Sequence, residues 1–229
     1  MAARTLSQRW KHGLGGAVWI IVCLAGTYLA MSDDFKPGHV GPRRTEWPTD
    51  TDYSYSTALI RNPDKPTIVA FLHPRCVCTR ATVKQLVKTV QAHPGAELIA
   101  LVFTPLDVKD RRAWEESEYV KTIQTAIPTA RIIFDRSGVQ AWRFGAYTSG
   151  TICVYDAQGR EIFRGGITDR RGGDGDNPGL QHLARILTGE PEAVRAEEPT
   201  PVFGCPLVAP GEARENEAHA STPHRPATR

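Results

Sequence analysis

The amino-acid sequence predicts an α/β domain, a three-layer sandwich with a mixed central sheet, preceded by one N-terminal transmembrane helix. Three observations carry this. Short apolar runs alternate with helical-period segments between Thr67 and Leu187, the pattern of parallel strands joined by helices. A pair of short apolar runs around a Gly-containing turn closes the domain and adds an antiparallel edge. One long uncharged run lies near the N-terminus.

Thr67 to Leu72, with Ile68, Val69 and Phe71, is a short apolar run typical of a buried strand. Val83, Leu86, Val87 and Val90 fall at i, i+3, i+4 and i+7, one face of a helix that His93-Pro94-Gly95 ends. Glu97 to Phe103 is a second buried strand. Trp114 to Ile127 has a weaker helical pattern, aligning Val120, Ile123 and Ile127. Arg131 to Phe134 is a third strand, followed by a short helix over Val139 to Phe144. Thr151 to Tyr155 and Glu161 to Phe163 flank Asp156-Ala157-Gln158-Gly159-Arg160 and read as a hairpin. Asn177-Pro178 supplies an N-cap and an N1 proline for a last helix that buries Leu180, Leu183 and Leu187.

The ends differ from this core. Residues 1–12 are basic, with Arg4, Arg9 and Lys11, and residues 13–31 carry no charge. At about 1.5 Å per residue such a run just spans a bilayer core of roughly 30 Å. The preceding positive charge leaves the N-terminus in the cytoplasm and the rest of the chain in the periplasm or outside the cell. Leu29-Ala30-Met31 lacks a small-residue cleavage pattern, so the run reads as an uncleaved anchor in the inner membrane. Residues 32–55, broken by Pro37, Gly38, Gly41, Pro42 and Pro48, read as a tether. The domain is expected over 56–189. Residues 190–229 read as a mostly disordered tail with one apolar island, Pro201 to Val208, around Cys205.

With 229 residues, 41% apolar, the chain is too apolar to be disordered and not apolar enough for a polytopic membrane protein. A formal net charge of +3 gives no argument for nucleic acid. Five cysteines are too few for a disulfide-stapled framework at this length, so their positions carry the information. Cys23 belongs to the anchor run, and Cys153 sits mid-strand as a structural thiol. Asp174 and Asp176 read as turn and cap residues.

The first strand runs into His73-Pro74-Arg75-Cys76-Val77-Cys78-Thr79-Arg80 and then a helix. A thiol at a helix N-terminus meets unpaired N–H groups and the positive end of the dipole, which favour the thiolate. Arg75 and Arg80 add positive charge as thiolate-stabilising residues, with Lys84 beyond them. Cys76 is the expected attacking thiol. Cys78, or Cys205 folded back from the tail, is the expected resolving thiol.

These residues resemble the thioredoxin-like superfamily. Phe71 stands five residues before Cys76, as the family's strand-to-nucleophile spacing requires. The Thr151–Phe163 hairpin, Gly165-Gly166 and the final helix match its second half. With the N-terminal run, the chain is similar to the membrane-anchored TlpA and ResA type. That resemblance implies disulfide exchange with a protein thiol or disulfide partner, or an electron donor, in the extracytoplasmic space, without a cofactor. The sequence departs from the family in having Cys-x-Cys, with Thr79 where the second cysteine usually stands. Arg75 replaces the usual Trp, and Gly150 takes the position of the family's cis-proline. The strand Thr67–Leu72 also lacks the family's buried acid, which leaves proton relay to His73 or water.

The same residues allow a second chemistry. His73, Cys76 and Cys78 form a soft donor set suited to copper. Sco proteins, which are copper-binding, tethered and thioredoxin-like, are partly similar, though their cysteine spacing and histidine position differ.

Overall fold

A computed structural model describes residues 2–32, 35–48, 59–190 and 199–208. They fall into two units, 1–36 and 37–229. The first is a helix, α1 (Ala2–Ser32). Its described side chains between 14 and 29 are exposed, Leu14, Trp19, Ile21 and Leu24 among them. Among the described residues no helix is long and apolar enough to cross a membrane. The expected transmembrane span over 13–31 is therefore not recovered. The side chains of 13, 30 and 31 are outside the described residues, so the described apolar stretch stops short of the run behind that expectation.

The second unit contains β1 (Thr67–Leu72), α2 (Val77–Ala92), β2 (Glu97–Thr104), α3 (Arg112–Glu115), α4 (Glu118–Ala126), β3 (Arg131–Arg136), α5 (Val139–Arg143), β4 (Ile152–Tyr155), β5 (Glu161–Gly165) and α6 (Pro178–Leu187). The five strands lie in the order β3-β2-β1-β4-β5. β1, β2 and β3 are parallel, whereas β4 pairs antiparallel with β1 and β5 pairs antiparallel with β4. This is the mixed α/β sheet expected from sequence.

Strand alternation sorts the core into two layers. Ile68, Ala70 and Leu72 of β1 join Val83, Leu86 and Val90 of α2, Ile123 of α4, and Leu183 and Ile186 of α6. Val69 and Phe71 point the other way, to Phe144, Tyr155, Leu207 and Val208. Each large apolar side chain fully buried contributes about 1.5–3 kcal/mol.

Local chemistry sets the element ends. Asn177 accepts the Leu180 N–H at 3.0 Å, and Pro178 opens α6. Asp156 closes the hairpin turn by accepting the N–H groups of Gln158 and Arg160, both at 2.9 Å. The helix expected over 114–127 is instead two. Ser117 takes an extended conformation and its hydroxyl caps the Val120 N–H, which starts α4 afresh.

The ends of the domain differ more. Of the predicted tether, residues 37–48 lie along the fold. Trp47 packs edge-on against Phe144 and Tyr155, with ring centroids 5.3 and 5.1 Å away. Arg43 reaches the buried Glu161 at 2.9 Å. One aromatic and one buried ion pair outweigh the prolines that read as a linker. Residues 33–34 and 49–55 of the tether, 56–58 of the expected domain, and 191–198 and 209–229 of the tail lie outside the described residues. Residues 199–208 form an ordered strap that buries Val202, Phe203, Leu207 and Val208.

Candidate functional site

β1 ends at Leu72, and His73 to Arg75 turn the chain so that Cys76 becomes the N-cap of α2 with extended backbone angles. The Cys76 N–H donates to His73 O at 3.1 Å, and the Thr79 N–H donates to Cys76 O at 3.0 Å. The turn is locked by two hydroxyls. Thr79 donates to His73 O at 2.9 Å and stands 3.0 Å from Ser149 Oγ. Ser149 Oγ accepts the His73 N–H at 2.9 Å. A hydroxyl has one proton, so the Ser149 hydroxyl donates to Thr79. The ladder positions Ser149, because Gly150 N–H bonds to Phe71 O at 2.7 Å. Gly150 has φ +92°, where a side chain would be strained.

The strap crosses this loop. Ser149 N–H donates to Cys205 O and Leu207 N–H to Tyr147 O, both at 2.8 Å. Arg171 donates to Gly204 O at 3.1 Å. Gly204 has no alternative: a Cβ there would lie 1.9 Å from Ser149 O.

The result brings three thiols together, those of Cys76, Cys78 and Cys205. All five cysteines of the chain are free. Burial pushes the Cys76 thiol up. Hydrogen bonds from the Cys205 thiol and the N–H groups of Cys78, Cys205 and Thr79 outweigh burial and hold it below the ordinary thiol value. Cys78 and Cys205 go the other way. Burial, the neighbouring Cys76 charge and their own hydrogen bonds to Cys76 raise both, Cys205 to about 12. The site thus favours the thiolate at Cys76 and the protonated thiol at Cys78 and Cys205, the bias disulfide exchange requires of its nucleophile.

The other expected residues are placed differently. His73 stacks on Phe103 at 5.3 Å and meets Trp114 edge-on at 5.6 Å. Its Nδ1 accepts the Arg75 N–H at 3.2 Å. Burial and the Arg75 charge lower its pKa, so the ring is neutral at pH 7. Arg75 lies over the Trp114 ring, 4.2 Å from the centroid. Arg80 lines a groove between α2 and α4 with Val83, Val87 and Tyr119. Lys84 pairs with Asp174. The charge near Cys78 and Cys205 comes instead from Arg171, which partly offsets the rise of both thiols. Nothing in the spacing of Arg171 pointed to it. Ser149 could have been found as the hydroxyl preceding Gly150 at the loop before the hairpin. Among the described residues, no group of three or more His, Cys, Asp or Glu side chains is arranged to hold a metal ion.

No family model and no curated protein matches the chain. Its fold is similar to that of a hypothetical protein from Sinorhizobium meliloti 1021, with a TM-score of 0.50 at 18% identity over 75% of this chain and 95% of that chain. An uncharacterized conserved protein from Geobacillus kaustophilus has a TM-score of 0.49 at 16% identity, over 76% and 93%. A secreted disulfide oxidoreductase from Mycobacterium tuberculosis has a TM-score of 0.38 at 15% identity, over 55% and 81%. The likeness to the first is one of fold.

Cys153 lies opposite Val69 in the β1–β4 ladder and is fully buried. Its thiol is pushed up to about 12 by burial, which fits the structural role expected of it.

Proposed function

We propose that this protein is a thioredoxin-like thiol–disulfide oxidoreductase whose attacking group is the Cys76 thiolate. The observation that carries the reading is the convergence of Cys78 and Cys205 on a Cys76 sulfur held below the usual thiol value at a helix N-cap. A thiolate attacks a disulfide sulfur and expels the other sulfur, and a second thiol completes the exchange. No cofactor is needed for this step.

The wider setting belongs to the same proposal. The basic segment 1–12 and the uncharged run 13–31 support anchoring in the inner membrane, with the domain on the extracytoplasmic side. Its partner is then another protein's thiol or disulfide, or an electron donor, in that compartment, where disulfides persist.

The test is exchange in glutathione redox buffers with the full chain and Cys76→Ser. We expect exchange from the first and none from the second. Equal rates from both overturn the reading. Carbonate extraction of membranes tests the anchor: the protein is expected to stay in the pellet, and release into the supernatant overturns it.

A further inference from the structure

The strap 199–208 does more than cover the core. Cys76 is 1% exposed and Cys78 6%, while Cys205 is only half-buried. Cys76 is too buried for in-line attack on another molecule's disulfide, and the strap beside its turn is the segment whose movement would open it. Its return brings Cys205 back to the sulfur that has just reacted. The two candidate resolving thiols differ in what closing a bond would cost. Cys78 lies two residues from Cys76 at the start of α2. Cys76 is the extended N-cap and Cys78 the second helical residue, so a bond between these two neighbours closes a very small ring. Disulfide geometry is specific, and closing so small a ring would strain the first turn, which the 3.0 Å Thr79 N–H to Cys76 O hydrogen bond holds. Cys205 comes from a separate segment. Its carbonyl accepts the N–H of Ser149 at 2.8 Å, and the Ser149 hydroxyl stands 3.0 Å from Thr79 and 2.9 Å from the His73 N–H, so the strap places Cys205 beside the turn that carries Cys76. Ser149, Tyr147 and Arg171 hold the strap through its main chain, so these bonds do not occupy the Cys205 side chain.

We infer that the strap is a resolving arm, and that turnover closes a disulfide between Cys76 and Cys205 while Cys78 stays a thiol. This rests on the exchange reading above. Written for a protein disulfide as substrate, Cys76 thiolate attacks one substrate sulfur. The substrate S–S bond breaks, a Cys76–substrate disulfide forms, and the other substrate sulfur leaves as a thiolate. Cys205, deprotonated by solvent base, then attacks Cys76 Sγ. The mixed disulfide breaks, the Cys76–Cys205 bond forms, and the second substrate thiolate takes a proton from water. Two electrons pass from two protein thiols to one substrate disulfide.

The experiment oxidises the full chain with glutathione disulfide, quenches and alkylates it, and maps cross-linked peptides by mass. Wild type and Cys78→Ser should both carry the 76–205 link. Cys205→Ser should instead accumulate Cys76 bound to glutathione, with a lifetime longer by about ten-fold or more. Gly204→Val keeps Cys205 but collides with Ser149 O. It should lose the 76–205 link while Cys76 alkylates faster than in wild type. A 76–78 link in wild type with exchange intact, or an unchanged lifetime in Cys205→Ser, overturns this proposal and leaves the exchange reading standing. A wild-type Cys76 that forms neither link nor glutathione adduct removes both.

Discussion

Cys76 and Cys153 are equally hidden from solvent, at 1% and 0% exposure, and lie at the end of β1 and beside its middle. Their thiols are nonetheless driven in opposite directions, Cys76 down and Cys153 up to about 12. The difference is the supply of donors. Cys153 sits inside a strand whose N–H groups are spent on the ladder. Its nearest charges, Arg164 and Glu161, form an ion pair and act on it with opposite sign. Cys76 sits where a helix begins and its first N–H groups have no intrahelical partner. It also receives a thiol and an N–H from the strap. Burial alone therefore does not decide reactivity; the hydrogen bonds left over at the burial site do.

The sharpest break of this comparison is exchange of the two cysteines' roles. Cys76→Ser replaces a thiolate by a hydroxyl that stays protonated, so exchange should fall to the level of buffer alone. Cys153→Ala should cost about 1–3 kcal/mol of stability and leave the exchange rate per folded molecule unchanged. Denaturant unfolding and exchange kinetics on the same preparations separate these effects. If Cys153→Ala also loses exchange in the folded protein, the two sites are not independent.

The Cys153 side has its own large term. Arg164 bonds to Glu161 at 2.8 Å and to Phe144 O at 2.7 Å, with side-chain exposures of 2% and 0% for the pair. Arg164→Leu strands the Glu161 carboxylate with only the half-exposed Arg43. Removing one partner of such a pair costs about 3–5 kcal/mol. The urea midpoint should fall accordingly, and an unchanged midpoint would mean that water replaces the guanidinium.

Cys205→Ala sharpens the comparison from the other side by making Cys76 more like Cys153. It deletes the thiol donor while keeping the strap's N–H. The Cys205 thiol is one of the groups that hold the Cys76 thiol down, so its loss raises the Cys76 midpoint. In wild type the rate of iodoacetamide labelling should fall as pH drops through a midpoint below the ordinary 9.0. In the variant that midpoint moves up, so labelling slows at neutral pH. The strap loses a buried contact as well, and faster labelling at every pH would mean that access, not ionisation, limits the rate.

Much of this contrast could be read from residue order. The alternation of apolar runs with helical faces located all five strands, because each is built from a compact apolar stretch. Cys76 was legible as the nucleophile because a cysteine between a buried strand and an amphipathic helix can only be at the helix start. The strap and the 37–48 segment were legible only as an apolar island and a proline-rich linker. Their order comes from contacts across the sequence, such as Trp47 on Phe144 and Leu207 N–H on Tyr147 O. No local period announces such contacts. Arg75 and Arg80 followed from proximity in sequence. Proximity does not fix side-chain direction: a guanidinium near Trp114 gains by stacking on it, and Arg80, one turn into α2, faces a groove instead.

The smallest expected effect tests the turn that presents Cys76. The Thr79 hydroxyl donates to His73 O and accepts from Ser149, which in turn accepts the His73 N–H. Thr79→Val keeps the shape and removes both bonds, leaving His73 O and the Ser149 hydroxyl each short of a partner. The cost should be about 1–2 kcal/mol, the usual range for such a loss. Because the backbone N–H of residue 79 and its 3.0 Å bond to Cys76 O are unchanged, the Cys76 labelling midpoint should hardly move even though the fold is weaker. Ser149→Ala should have the same signature. If either variant instead raises the midpoint as far as Cys205→Ala does, then the turn's rigidity, not the count of donors, is what separates Cys76 from Cys153.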